Sequence, residues 1–280
     1  MYGLTIYSDD ELKRIQHMEL EALREMIRVC DALDIEYFLI DGAALGAVRH
    51  QGFIPWDDDI DVGMTRENYR RFLSEAPAIL SEQYFLQTPY QGKDNPYFYS
   101  KLRINGTKFV EYCNRKLNIH QGVYIDICPF DEVPDNERLN QKQFRRCQLL
   151  IHLFVLRQSP DLSAAPITVK RRALSVLRKC LHAVIQIVPY KCIAKALEKE
   201  TTRYNETGQC AFAFLHYPIR KTDYVLKSEL YELRKVKFED LLVNIPHNYD
   251  AYLRRHYGNY LEWPAVDKRY GHKPYKLELM

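Results

Sequence analysis

Between residues 1 and 134, stretches in which apolar residues recur with the period of a helix alternate with stretches that have the period of a strand. Ser8-Asp9-Asp10-Glu11 has the spacing of a capping box, and the apolar residues that follow predict a helix that ends at Asp34. Four shorter elements are expected after it: a strand at 35–40, a helix at 43–50, a strand at 53–64 and a helix that Thr65 caps. Alternating strands and helices indicate an α/β (α+β) fold.

Strands also dominate residues 97–127. Asn105-Gly106 is a strong hairpin turn, and it separates Tyr97–Ile104 from Thr107–Tyr112. A further strand is predicted at 122–127.

The pattern changes after Pro134, where it becomes helical and basic up to about Arg203. A strand around 236–243 and a helix at 249–257 are predicted near the end. We therefore divide the chain into three parts: a core at 1–134, a basic helical segment at 135–215 and a C-terminal segment at 216–280 that packs on the core.

Three aspartates alternate in the predicted strand at 53–64: Asp57, Asp59 and Asp61. Residues two apart in a strand point to the same face, so this face carries three carboxylates and the other is apolar. Crowded carboxylates repel each other, and a hard divalent cation removes that cost. Such cations also clamp phosphorus during an in-line displacement. The pattern predicts transfer of a phosphoryl-containing group with Mg²⁺, or with Mn²⁺ in its place.

The alternatives for this segment are a calcium loop and a solvated acidic turn. An EF-hand loop counted from Asp57 needs glycine at its sixth position and glutamate at its twelfth, where this chain has Val62 and Asn68. A solvated turn does not explain the alternating apolar residues.

Two further segments carry candidate chemistry. Asp126 is a single acid in an apolar strand, and it is either a third metal ligand, the base for the acceptor, or a paired structural residue. Gly42 and Ala43 lie between a strand and a helix, where backbone N–H groups bind phosphate, although this segment also fits an ordinary turn. Arg49, at the far end of that helix, is a candidate partner for an aspartate or a phosphate.

Lys101 and Arg103 alternate along the predicted hairpin strand, so both lie on one face. Paired cations there would neutralise a leaving phosphate. The alternative is a solvated sheet edge, which commonly carries lysine.

Charge is distributed unevenly along the chain. The whole chain has a net charge of +3, but residues 140–203 contain 13 Lys and Arg against 3 Asp and Glu, a net +10. An amphipathic stretch at 169–188 lies beside Lys170, Arg171, Arg172, Arg178 and Lys179. We expect this segment either to contact an anionic membrane surface or to be a helix with a basic outer face. Nucleic acid is not expected as a partner, because no binding motif is present.

The seven cysteines are scattered without metal spacing, which fits a reducing compartment. Residues 1–5 lack the pattern of a secretory signal, and no apolar run approaches the length of a membrane span. We expect a cytoplasmic protein, peripheral on the inner face of the membrane where it binds lipid.

A long block of the sequence resembles the LicD family, which includes bacterial phosphocholine transferases and the fukutin-type catalytic domains. The matching segments are Asp41–His50, Gly52–Asp61, Lys101-Leu102-Arg103, Gly122–Ile127 and Tyr252–Gly258. The resemblance implies a nucleotidyltransferase-like mixed sheet flanked by helices, with the basic helical segment as an insertion.

The same resemblance implies site residues and a reaction. Asp59 and Asp61 match the metal-binding pair, Asp126 matches the third carboxylate, Asp57 belongs to the acidic cluster, and Gly42 and Ala43 occupy the glycine turn. The implied reaction moves a phosphorylated alcohol, phosphocholine first, from a CDP-alcohol donor to a hydroxyl of a cell-surface glycan, and CMP leaves. Teichoic acid, lipopolysaccharide and capsule precursors, free or lipid-linked, are the acceptors it implies.

Two competing functions remain open at this point. A true nucleotidyltransferase would use an NTP and release pyrophosphate. A non-catalytic glycan- or lipid-binding protein would not need the acids at 57, 59, 61 and 126.

Overall fold

The chain begins with a long helix whose start and end follow the sequence. The computed structural model describes residues 8–89, 91–92, 95–158, 169–215, 224–269, 271–272 and 274–279, without the side chains of 169–171. Helix α1 (Asp9–Leu33) starts at Ser8, whose hydroxyl accepts from the Glu11 N–H while the Glu11 carboxylate accepts from the Ser8 N–H. Asp34 ends it in a left-handed conformation, with φ of 51°. The predicted capping box and helix end are confirmed.

The described part of the chain contains seven more α-helices. They are α2 (Asp41–Arg49), α3 (Arg66–Glu75), α4 (Glu137–Gln158), α5 (Val169–Ile185), α6 (Tyr190–Thr201), α7 (Lys227–Leu230) and α8 (Tyr249–Tyr257). Helix α8 has the predicted bounds, and the basic segment is helical as expected.

The strands lie mostly in one mixed sheet. They are β1 (Phe38–Leu39), β2 (Asp61–Thr65), β3 (Tyr84–Gln87), β4 (Ser100–Ile104), β5 (Lys108–Val110), β6 (Tyr124–Val133), β7 (Ala211–Ala213), β8 (Tyr224–Leu226), β9 (Arg234–Phe238), β10 (Leu241–Ile245) and β11 (Lys276–Glu278). The sheet order is β1-β2-β6-β4-β3, and β7 and β8 extend it from the far end of β6. Strands β2 and β6 are parallel and the other pairs are antiparallel. The mixed sheet flanked by helices is confirmed.

The predicted strand at 53–64 is wrong in its first half. Strand β2 begins only at Asp61. The Asp57 N–H donates to the Ile54 carbonyl at 2.9 Å, which closes a turn around Pro55. Proline fixes the backbone for the second position of such a turn and cannot donate to a sheet. Asp57 and Asp59 therefore precede the strand.

The predicted hairpin is also wrong, although the chain does turn at Asn105-Gly106, where Gly106 has φ of 79°. Strand β4 pairs with β3 and β6, while β5 pairs with β11. The reason is that β6 returns along β4 and takes the edge that the hairpin partner would need. In the C-terminal segment, two strands, β9 and β10, form a hairpin where a single strand was expected.

Helices α4 and α6 pack on the sheet through an apolar cluster that is separate from the main core and is called the second apolar cluster. Its buried residues include Phe98, Val133, Cys147, Phe154 and Leu197. Beside it, the Arg66 guanidinium donates to the Asp131 carboxylate at 2.8 Å, and both side chains are buried. Because Val133 belongs to β6, the cluster joins the helical segment to the strand that carries Asp126. The boundaries at 134 and 215 stay a prediction.

Candidate active site

A cavity of about 470 Å³ opens over the middle of the sheet. Its lining combines acids, one lysine, two histidines and many aromatic rings. The described lining residues are Asp41, Asp59, Asp61, Tyr99, Lys101, Glu111, Tyr124, Asp126, Cys128, Phe130, Phe214, Tyr252, His256, Tyr257 and His272.

Sheet register places the reactive side chains at one level. Asp61 at the start of β2 lies directly opposite Asp126 on the parallel strand β6. Lys101 on β4 lies opposite Asp126 from the other side. Three adjacent strands therefore present a carboxylate, a second carboxylate and an ammonium side by side. Asp59 precedes β2 by two residues and lines the same cavity.

The acids at this level have raised pKa values. Burial raises the pKa of Asp61 well above its ordinary value, and the negative charges of Asp59 and Asp126 add to the effect. Burial is also the main reason that the pKa values of Asp59 and Asp126 are raised. Ionised carboxylates at this level are therefore costly until a cation balances them.

Asp57 is not among the described residues that line the cavity. Burial, followed by the charges of Asp59 and Asp58, raises its pKa to about 8, and it shares a hydrogen bond with Asp59. Two carboxyl groups can share a hydrogen bond only when one carries a proton. Its Oδ2 would lie 2.7 Å from a Cβ at position 42, so the close approach requires Gly42.

Lys101 is buried in the sheet and not on a solvated edge. Its ammonium donates to Asp126 Oδ1 at 2.6 Å and lies 3.4 Å from the ring centroid of Tyr124. The rings of Tyr97 and Tyr99 also surround it, at 4.6 and 5.1 Å. These contacts hold the cation in position beside the carboxylates.

Arg103 and Arg49 do not reach the cavity in the described structure. Arg103 is buried and donates to the Gln87 side chain at 2.6 Å and to the Gly122 carbonyl at 2.8 Å. Arg49 donates to the Tyr260 carbonyl at 2.8 Å and so holds the C-terminal segment against α2. A substrate-binding role for either arginine stays a prediction.

The first turn of α2 approaches the cavity through Asp41. This residue has φ of 45°, a conformation that costs a residue with a side chain energy. Its N–H donates to the Tyr252 hydroxyl at 3.2 Å, which joins α2 to α8. Gly42 and Ala43 follow in the same turn but are not among the described lining residues, so their contact with phosphate stays a prediction.

His272 and Asp58 belong to the site but were missed in the sequence. The His272 backbone N–H and ring both bond to the buried Asp58 carboxylate, and the ring Nδ1 lies 3.0 Å from Asp58 Oδ1 and 3.7 Å from Asp59 Oδ2. The hydrogen bond to Asp58 raises the pKa of His272 to about 9. Asp58 was overlooked because it lies out of step with the alternating acids, and no local pattern marks His272.

Glu111 is a further carboxylate that sequence reasoning missed. It accepts hydrogen bonds from the Tyr97 hydroxyl and from the Asn114 amide, the latter at 2.7 Å. Burial opposes its ionisation, but Lys101, the Tyr97 hydroxyl and Arg103 outweigh burial and lower its pKa. Glu111 therefore supplies a permanent negative charge to the wall of the cavity.

Aromatic rings form the other side of the cavity. Phe130 and Phe214 stack with centroids 6.3 Å apart, and the Tyr99 ring meets Phe214 edge-on at 5.6 Å. Tyr252 and Tyr257, from α8, complete this wall. These rings come from four separate segments of the chain, at 99, 130, 214 and 252–257.

The carboxylate oxygens in the cavity are ligands of the kind that a hard divalent cation prefers. Carboxylates of Asp59, Asp61 and Asp126 line one space, and their raised pKa values and the hydrogen bond between Asp57 and Asp59 reflect unbalanced negative charge. Within the described ranges, no three side chains of His, Cys, Asp or Glu converge as a ready-made metal site. A phosphate group of a ligand would have to supply the remaining oxygens.

Comparison with known proteins decides the family. The LicD/FKTN/FKRP nucleotidyltransferase domain matches residues 34–149. This part of the chain belongs to the LicD family. The lipopolysaccharide cholinephosphotransferase LicD of Haemophilus influenzae is 26% identical over 276 residues, 95% of this chain and 96% of that protein. The human ribitol 5-phosphate transferase FKRP is 45% identical over 53 residues, 18% of this chain and 11% of that protein.

The LicD-family segment contains the charged half of the cavity and only part of its aromatic half. Asp59, Asp61, Lys101 and Asp126 lie within residues 34–149. Other lining residues lie beyond it, namely Phe214, Tyr252, His256, Tyr257 and His272. The cavity is therefore closed by elements that follow the matched LicD-family domain.

Proposed function

We propose that the protein is a phosphotransferase that moves phosphocholine from CDP-choline to a hydroxyl of a cell-surface glycan precursor and releases CMP. The relatives named above support the reaction class, because one is a cholinephosphotransferase and the other a ribitol 5-phosphate transferase. The observation that carries the proposal is a single cavity that combines carboxylates, a buried lysine and aromatic rings.

The charged half suits a diphosphate. Asp59, Asp61 and Asp126 would hold Mg²⁺, or Mn²⁺ in its place, and the bound cation would neutralise charge on the phosphate oxygens. Lys101 is fixed beside Asp126 at 2.6 Å and supplies positive charge near the bond that breaks. In the reaction, the glycan oxygen forms a bond to the phosphorus that bears choline, and the bond from that phosphorus to the CMP oxygen breaks.

In this proposal Asp126 acts on the acceptor as well as on the cation. It lies at the centre of the three strands, between Asp61 and Lys101. The proton released by the glycan hydroxyl would go to this carboxylate.

The aromatic half favours choline over other alcohols. A quaternary ammonium has no N–H to donate and binds best on ring faces beside a negative charge. Phe130, Phe214 and Tyr257 supply rings, and Asp41 supplies a carboxylate in the same cavity. Glycerol or ribitol would need hydrogen-bonding groups at each hydroxyl, which the rings of Phe130 and Phe214 do not provide.

Thermal stabilisation by candidate donors tests the proposal. CDP-choline with Mg²⁺ should raise the Tm more than CDP-glycerol or CDP-ribitol with Mg²⁺, and the effect should largely disappear in EDTA. Stabilisation by CTP alone, with none by a CDP-alcohol, would instead favour a nucleotidyltransferase. A larger shift with CDP-ribitol would overturn the choice of choline.

A further inference from the structure

Helix α5 carries its apolar side chains on the outside. Five of them, together with two residues just beyond the helix end, are exposed and are called the α5 face: Leu174, Val176, Leu177, Leu181 and Val184 on the helix, and Ile187 and Val188 after it. Val184 is 64% exposed and Ile187, just beyond the helix end, is 84% exposed. A surface helix normally buries its apolar stripe and exposes its polar one. Helix α5 packs Ile185 against the second apolar cluster but exposes most of its described apolar side chains.

Polar contacts hold the inner side of α5 to the end of α4. The His182 ring bonds to the Leu156 carbonyl at 2.8 Å, and the Gln186 amide donates to the Arg157 carbonyl at 2.8 Å. Arg157 in turn donates to the Val188 carbonyl at 2.7 Å. Because these contacts fix which side faces inward, the α5 face cannot turn into the core without breaking them.

Positive charge surrounds this apolar surface. Arg172 and Lys179 are exposed on α5, and Lys191, Lys195 and Lys199 are exposed along α6. The segment at 140–203 has a net charge of +10. An apolar surface with a cationic rim complements an anionic lipid bilayer, which offers acyl chains below negatively charged headgroups.

The architecture favours a helix that lies in the interface over one that crosses the membrane. No single helix in the described ranges is long and apolar enough to span a bilayer, and α5 and α6 pass that test only together, with a bend of 95°. Helix α6 buries Ile193, Ala194 and Leu197 in the second apolar cluster. It is therefore part of the fold, and α5 alone is left to meet the lipid.

We propose that the α5 face inserts in the plane of an anionic bilayer and holds the protein at the membrane surface. The apolar side chains enter the boundary between headgroups and acyl chains, while Arg172 and Lys179 contact the headgroups. The inference is independent of the reaction proposed above, because it rests only on the exposed residues of α5 and α6.

Vesicle binding by the full chain tests this directly. The wild-type protein should cosediment with vesicles of phosphatidylcholine mixed with phosphatidylglycerol, and binding should fall steeply as salt rises. Substitution of Val176, Leu177 and Val184 by serine should weaken binding at least about tenfold, as should the pair R172E and K179E. The control is L242S, since Leu242 is 67% exposed on β10, away from α5.

A fluorescent probe on Cys180 locates the contact. Cys180 is exposed on α5, and Cys210 is exposed just before β7. An environment-sensitive dye on Cys180, with Cys192 and Cys210 replaced by serine, should shift to the blue with anionic vesicles. The matched probe on Cys210, in a protein with C180S and C192S, should not shift.

Three outcomes would overturn the proposal. The first is wild-type binding by the triple serine variant with an unchanged melting curve. The second is equal binding, or none, to neutral and anionic vesicles. The third is a dimer in sedimentation that the triple variant abolishes while vesicle binding is absent, because a second copy of the chain would then cover the α5 face.

Discussion

The cavity over the sheet and the outer side of α5 depart from the usual distribution of residues in opposite directions. The cavity buries charge: Lys101 is 1% exposed and Asp126 is 7% exposed. Helix α5 exposes apolar side chains such as Val184 and Ile187. Each arrangement costs the isolated protein free energy, because buried charge loses hydration and exposed apolar surface orders water. We therefore propose that each region binds a partner that offsets this cost: a cation with a nucleotide in the cavity, and lipid on the α5 face.

The largest expected effect comes from the acids that line the cavity. D59N and D61N should each reduce transfer by more than about tenfold, a barrier increase of more than about 1.4 kcal/mol, because each removes a charged ligand of the cation. In EDTA neither variant should be less stable than wild type, since asparagine carries no charge and so avoids both burial of the charge and repulsion by its neighbours, the causes that raise the pKa of Asp61.

The control for these variants is D31N, which changes an exposed carboxylate of α1. Initial rates of CMP release and thermal melts in EDTA are the measurements. An aspartate variant that keeps more than about a tenth of the wild-type kcat would remove that residue from the proposed metal site.

Substitution of Asp126 should affect catalysis much more than it affects binding of the donor. D126N should lower kcat far more than it raises the donor KM, because a metal ligand or proton acceptor matters mainly in the transition state. It should also lower the free energy of unfolding by roughly 3 kcal/mol, since it leaves the buried Lys101 without its charged partner.

The double variant D126N with K101M sharpens this prediction. It should recover much of the lost stability, because no buried charge is then left unpaired, and none of the lost activity. Full kinetic characterisation and urea unfolding of both variants give the comparison. An unchanged kcat with a raised donor KM would mean that Asp126 only helps to bind the nucleotide.

A smaller effect is expected from the aromatic wall. F214L and F130L should each lower kcat/KM for CDP-choline relative to CDP-glycerol by about fivefold, on the order of 1 kcal/mol for one cation–π contact. F85L is the matched control, because Phe85 stacks on His120 outside the cavity. Equal losses for both donors would indicate that these rings only shape the cavity.

The smallest effect concerns Glu19, a buried glutamate of α1 whose Oε2 has no hydrogen-bond partner in the described structure. Burial, followed by the charges of Asp58 and Asp59, raises its pKa well above the ordinary value. The folded protein then binds one more proton than the unfolded chain, so its free energy of unfolding falls as pH rises above about 4.5.

Gln cannot titrate, so E19Q should become more stable relative to wild type between about pH 5 and about pH 8. Urea unfolding in EDTA at both pH values measures this difference, and E36Q, at an exposed position, is the control. A difference between E19Q and wild type that does not change with pH would show that Glu19 is already ionised in the folded protein.

Local signals in the sequence were sufficient for elements that depend on neighbouring residues. The capping box at Ser8 and the helix end at Asp34 follow from backbone hydrogen bonding within a few positions. The alternating acids likewise drew attention to Asp59 and Asp61, which the structure places in one cavity with Asp126.

The sequence did not predict features that depend on contacts between residues far apart in the chain. The turn residues Asn105-Gly106 predicted a hairpin, but strand β4 pairs with β6 instead of with β5. His272 reaches Asp58 across more than two hundred positions, so no local pattern could indicate it. In the sequence, α5 showed only an amphipathic pattern. Its apolar side could not be predicted to face outward, because sequence alone does not say which side of a helix faces the core.

Identification of the leaving group tests the central claim most directly. The wild-type protein is incubated with Mg²⁺, a glycan acceptor and an equimolar mixture of CDP-choline and CTP, and the products are identified by mass spectrometry. The account predicts CMP together with an acceptor that has gained phosphocholine, and neither product with D59N. Pyrophosphate together with an acceptor that has gained CMP would contradict it.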